Sequence, residues 1–63
     1  MPFIQIDMGP STKEKKKEVI EKMTNILSET ISVPKQAITV IIRESNADNI
    51  GVSGEQLSER INK

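Results

Sequence analysis

The chain has no cysteine, no histidine, no tryptophan and no tyrosine, and one phenylalanine in 63 residues. Without cysteine there is no disulfide, and without cysteine or histidine a structural zinc site has no ordinary ligands. The same lack suits a reducing compartment. With so few aromatic rings there is no platform on which bases could stack. Neither charge sign is in excess: nine Lys and Arg balance nine Asp and Glu. No basic field is therefore available to gather nucleic acid. Long apolar runs are missing too. The longest, Ala37 to Ile42, is interrupted by Thr39 and is far too short to span a membrane. No basic-then-apolar signal segment opens the chain. The expectation is a soluble cytoplasmic protein with no nucleic-acid or membrane partner.

The length imposes a further limit. A chain this short forms one domain, residues 1–63, and buries only about 60% of its unfolded surface. With disulfide and zinc staples excluded, self-association is the expected extra source of stability.

What is present starts at the N-terminus. Met1-Pro2-Phe3-Ile4-Gln5-Ile6-Asp7 reads as a strand headed by proline. If Met1 is clipped, Pro2 carries a free secondary amine. In a chain without His, Cys or Tyr, that amine is the group suited to base chemistry. An α-amine titrates near about pKa 8, a prolyl amine somewhat higher, and an apolar site disfavours the ammonium form. Neutral amine is then available near pH 7.

Pro2, Ile4, Ile6 and Met8 share one face of this strand; Phe3, Gln5 and Asp7 share the other. Gly9-Pro10 breaks it. Ser11-Thr12-Lys13-Glu14 has the form of a capping box, with Ser11 as the cap. The helix it opens is expected to run to residue 31 or 32. Val19, Ile20, Met23, Ile26, Leu27 and Ile31 make one apolar stripe along it. Lys15-Lys16-Lys17 reads as a solvated face. Lys16 falls inside the apolar arc, either as a snorkelling lysine or as a cation aimed at a site near the helix start. Val33-Pro34 stops the helix. Ala37 to Glu44 is the second strand, rich in β-branched residues and apolar on both faces. A polar turn, Ser45 to Asn49, precedes a short hairpin at Ile50 to Gly54. Glu55 to Lys63 is either a terminal helix or a docking tail.

Strand, helix, strand over this length implies a parallel pair. Pro2 and the start of strand two then share one end of the sheet. The helix start and Arg43 share the other, roughly 20 Å away. One helix covers one sheet face, so the other face needs a second chain. A cation reaching Pro2 from the far end must come from a neighbouring subunit.

These features together resemble the 4-oxalocrotonate tautomerase family, in particular its small DmpI-type branch. Pro2 at the head of a strand, the capped helix from Ser11, Val40-Ile41-Ile42-Arg43-Glu44 and Asn49-Ile50-Gly51-Val52-Ser53-Gly54-Glu55 carry the resemblance. It covers essentially the whole chain. It implies an α+β fold: a β-α-β subunit with a parallel strand pair and a C-terminal β-hairpin, dimerising into a four-stranded sheet backed by two helices. Three such dimers commonly form a hexamer. It also implies an isomerase that tautomerises a small 2-hydroxydienoate or 2-keto acid, with Pro2 as general base and no cofactor or metal.

Three positions depart from the family pattern. Gly9-Pro10 and Thr39 stand where arginines are usual, and Ile50 replaces an aromatic residue. The candidate substrate-binding residues are therefore Arg43, Ile50 and Thr39, with Arg43 alternatively an ion-pair partner at a surface or interface. Dehalogenation or decarboxylation would need an acid beside Pro2, and Asp7 faces away from it. The non-enzymatic alternative is an oligomeric binding module that kept this fold. Protein made in cells with an active methionine aminopeptidase is expected to have an intact mass lighter by one methionine residue; a retained Met1 would favour the binding module.

Overall fold

A computed structural model of the chain describes residues 1–61. Strand β1 (Phe3–Met8) leads into helix α1 (Lys13–Ile31), then a 3-10 turn (Lys35–Ala37) and strand β2 (Thr39–Glu44). A second 3-10 turn (Ala47–Asn49), the hairpin strands β3 (Gly51–Val52) and β4 (Glu55–Gln56), and helix α2 (Leu57–Ile61) complete it. The terminal segment expected to be helix or tail is thus helical through Ile61. Residues 62 and 63 lie outside the described residues.

β1 and β2 pair in parallel, from Phe3 opposite Thr39 to Met8 opposite Glu44. The alternating pattern of β1 sets its faces. Ile4, Ile6 and Met8 are half-buried, while Phe3, Gln5 and Asp7 are exposed. On the second strand Val40 and Ile42 are half-buried and Ile41 and Arg43 exposed, so the same alternation continues across the pair.

Both strands start later than the sequence suggests. β1 begins at Phe3 because Pro2 has no N–H to give a ladder. β2 begins at Thr39 because the chain after Pro34 first closes a 3-10 turn. Ala37 N–H donates to the Pro34 carbonyl at 3.0 Å and Ile38 N–H to Lys35 at 3.1 Å.

The helix cap also moves by one residue. Thr12, not Ser11, is the N-cap, and its hydroxyl accepts from the Lys15 N–H at 3.1 Å. A Thr cap of this kind contributes about 1 kcal/mol. The Ser11 N–H, one residue ahead of the cap, donates to the Glu44 carboxylate at 2.8 Å. At the other end Ser32 takes a left-handed conformation (φ 57°). The Ser32 and Val33 N–H groups both donate to the Ser28 carbonyl, and the Ser28 hydroxyl donates to Val33 O at 2.6 Å. This bracket ends the helix before Pro34 can.

The hairpin turns at Ser53 (φ 53°) and Gly54 (φ 80°). Two successive positive φ values match the tight mirror-image turn that suits the twist of paired strands. Of the two glycines, only Gly54 needs its conformational freedom. α2 and β4 fold back on the Ala47–Asn49 turn. Gln56 Nε2 donates to the Asp48 carbonyl at 2.8 Å, and Leu57 N–H to Ile50 O at 2.7 Å.

Among the described residues no side chain is fully buried. The radius of gyration is 15.2 Å, against about 11 Å for a compact domain of this length. The surface is 4970 Å², roughly 900 Å² above that of a compact monomer of equal mass. Apolar residues account for much of the excess. Phe3 is 53% exposed on the outer sheet face, and Ile26 is 59% exposed on the helix flank. Burying such a side chain is worth about 1.5–3 kcal/mol. The protein is therefore expected to elute as a multiple of its 7.0 kDa chain mass, and Phe3→Asp to shift elution toward smaller species. A wild-type monomer at high concentration would contradict this.

Candidate functional site

The first candidate, Pro2, sits half-buried just ahead of β1. Its carbonyl accepts from the Thr39 N–H at 3.2 Å, which extends the ladder by one bond. Met1 is 92% exposed. Met1 thus lies outside the packing, while Pro2 is held at the strand head. Thr39 is half-buried beside it, paired with Phe3. Pro2 and Thr39 are brought together by the strand pairing itself.

The other two candidates are not brought to them within one subunit. Arg43 is exposed near the far end of β2, with Asp7 opposite it on β1. Four residues along a strand is about 13 Å from Thr39. Among the described residues Arg43 makes no ion pair. Ile50 is half-buried between the second 3-10 turn and β3. It belongs to the hairpin unit, whose strands form a sheet separate from β1 and β2.

The end of the sheet away from Pro2 is organised by a residue that sequence reasoning did not single out. Glu44 accepts from the Ser11 N–H at 2.8 Å through one carboxylate oxygen and from Lys16 Nζ at 3.0 Å through the other. Next to it Ser45 N–H donates to the Met8 carbonyl at 2.8 Å. The signal was available: Glu44 alternates onto the helix-facing side of β2, at the end where the helix begins. The Ser11 N–H and Lys16 together hold the Glu44 carboxyl below the usual carboxylate range. Lys16 is therefore engaged within the subunit rather than left as a cation for a ligand. The Glu44 carboxylate lies just ahead of the helix start, on the Ser11 N–H that precedes the Thr12 cap.

Beside this clasp runs an open groove of about 550 Å³ along α1, floored by Ile20 and Ile42 and flanked by Lys13 and Lys17. It lies at the Glu44 end, away from Pro2. Among the described residues no helix is long and apolar enough to cross a membrane.

The architecture, a parallel pair headed by proline with one long helix and a terminal hairpin, has known counterparts. The family model described as tautomerase enzyme matches residues 2–60. The chain belongs to the tautomerase family. It is an isomerase of the tautomerase class by that membership. The 2-hydroxymuconate tautomerase of Comamonas testosteroni is 38% identical over 60 residues, covering 94% of this chain and 95% of the relative. The 2-hydroxymuconate tautomerase of Bacillus subtilis is 33% identical over 60 residues, covering 94% and 97%. The crystal structure of DmpI from Helicobacter pylori superposes with a TM-score of 0.82 at 32% identity, covering 92% of this chain and 98% of that one. The resemblance to this family, the DmpI-like proteins included, and the β-α-β fold with its C-terminal hairpin both hold.

The clasp has a pH signature. Glu44 titrates lower in the folded state than unfolded, so its contribution is present above the unfolded pKa, about 4.3, and is lost as pH falls through the folded value. Glu44→Gln keeps the shape and removes the charge. Its urea midpoint is expected to fall below wild type at pH 7, with the gap closing in acid. A gap independent of pH would remove the ionic part of this account.

Proposed function

We propose that the chain, once Met1 is removed, interconverts the enol and keto forms of a small 2-hydroxydienoate or 2-keto acid with the Pro2 amine as general base. The observation that carries this reading is the pinned position of Pro2, bonded through its carbonyl to Thr39 N–H at 3.2 Å while Met1 is outside the packing. The names of the Comamonas and Bacillus relatives support the substrate class.

The steps conserve all atoms. The neutral amine takes the proton of the enol hydroxyl. The O–H electron pair becomes the C=O π bond, and the displaced π electrons take a proton from the prolyl ammonium at carbon. The amine is neutral again at the end. No external oxidant, metal or cofactor is called for. A secondary amine suits this work because its lone pair is not delocalised, unlike the amide it forms while Met1 remains attached.

The working unit is a homo-oligomer. Two subunits join their sheets into four strands backed by two helices, and three such dimers make a hexamer. In that assembly Arg43 from a neighbouring subunit holds the substrate carboxylate near Pro2. Thr39 and Ile50 line the pocket. The exposed Phe3 and Ile26 support self-association. The setting is cytoplasmic.

A second reading is an oligomeric binding module of the same fold without turnover. It is favoured if Met1 stays in place, since the Pro2 nitrogen is then an amide. Pro2→Ala, with Met1 removed, is expected to lower kcat/KM by about 10²–10⁴ in an ultraviolet assay of ketonisation. Unchanged turnover would rule Pro2 out as the base.

A further inference from the structure

We infer that Lys35 binds the substrate carboxylate beside the reacting enol, from the same subunit as the Pro2 that takes the proton. This rests on the proposed function above and deepens it by naming a binding residue. In a 2-hydroxydienoate the first carboxylate is one bond from the enol carbon. A base that reaches the enol proton therefore has that carboxylate at its side. A carboxylate drawn out of water needs donors to meet it, and a cationic donor makes the stronger bond. Such a donor has to stand at the Pro2 end of the sheet.

Lys35 stands there. It opens the 3-10 turn that leads into β2. Its carbonyl accepts from the Ile38 N–H at 3.1 Å, and the next N–H, of Thr39, donates to Pro2 O at 3.2 Å. The lysine and the proline are thus connected through backbone hydrogen bonds on either side of Ile38. The turn brings the Lys35 and Ile38 Cα atoms within about 7 Å, and one strand spacing of about 5 Å separates Ile38 from Pro2, so Lys35 and Pro2 lie within about 12 Å of each other at Cα. A flexible four-carbon stem ending in an ammonium, with a carboxylate set against it, spans such a gap.

The side of the sheet agrees as well as the end. Alternation puts Pro2 with Ile4 and Ile6, on the half-buried side that α1 covers. Lys35 lines an open groove of about 380 Å³ with Ile20, Glu21, Thr24 and Asn25, all on α1. The lysine is therefore on the helix side too. It is exposed, and among the described residues it makes no ion pair, with Glu21 or any other acid. Its backbone is held, since the turn also closes from the Ala37 N–H to the Pro34 carbonyl at 3.0 Å. A fixed root and an unpaired head suit a side chain that turns to meet an anion. One register joins Lys35 to Pro2, so their proximity does not depend on which subunits adjoin. The lysine acts together with the Arg43 that the proposed assembly brings from a neighbouring subunit.

The test uses the full-length, Met1-free protein at fixed ionic strength with 2-hydroxymuconate as substrate. Lys35→Met is expected to raise KM about tenfold with kcat little changed, and Lys35→Arg to restore most of the loss. The dissociation constant of 2-oxohexanedioate, a keto acid that needs no turnover to be read, is expected to rise by a similar factor in a calorimetric titration. Circular dichroism and elution volume verify that each variant is folded and assembled, and Lys35→Gln takes the place of Lys35→Met if the latter is not. A KM and a dissociation constant within about twofold of wild type overturn the inference. So does a loss that Lys35→Arg leaves unrestored, because the positive charge is then not what was lost. The Pro2 reading fails separately, if Pro2→Ala retains full turnover or if the wild type converts no enol; the dissociation constants report on Lys35 in either case.

Discussion

Two strands and one helix cannot enclose an interior, and every other property of this subunit follows from that constraint. A sheet has two faces, and a single helix covers one. The face bearing Ile4, Ile6, Val40 and Ile42 is half-covered by α1, and the face bearing Phe3 and Ile41 is not covered at all. No described side chain reaches full burial. Apolar surface left in this state is a driving force for association, at about 25 cal/mol per Å² removed from water. The subunit is best understood as one piece of a larger core.

The same two-layer arrangement governs the chemistry. Parallel pairing sets Pro2 beside Thr39 at one end and Glu44 beside Ser11 and Lys16 at the other. Pro2 and Arg43 are thereby separated along the sheet. Within a subunit this leaves Pro2 in a neighbourhood of Thr39 and Ile38, without arginine. In the proposed function, completion of the site depends on what an adjoining subunit brings.

The Glu44 clasp illustrates how a local motif yields to a distant group. Ser11-Thr12-Lys13-Glu14 satisfies the pattern for a cap at Ser11. In such a box the Glu14 carboxylate would accept from the Ser11 N–H; here that donor goes to another carboxylate. Glu44, 33 residues away in sequence, takes the Ser11 N–H, and the cap passes to Thr12. The lysine within the apolar arc finds its explanation in the same group. It lies over the end of β2 because its partner is there.

Much of the fold was legible in the residues. Alternation in Phe3–Met8, the helical stripe from Val19 to Ile31 and the β-branched run of β2 each carry a period that only one element satisfies. The family pattern spread over the whole chain was legible for the same reason, since its spacing is that of these elements. The location of Pro2 at a strand head was determined by sequence alone, because proline ahead of an alternating run has no other natural place. Tertiary structure alone decided the groups that depend on long-range pairing. It assigned the cap to Thr12 and tied both Lys16 and the Ser11 N–H to Glu44. These outcomes turn on which residues meet across the β1–β2 register. Local periodicity names the faces of an element but does not name the groups that face it.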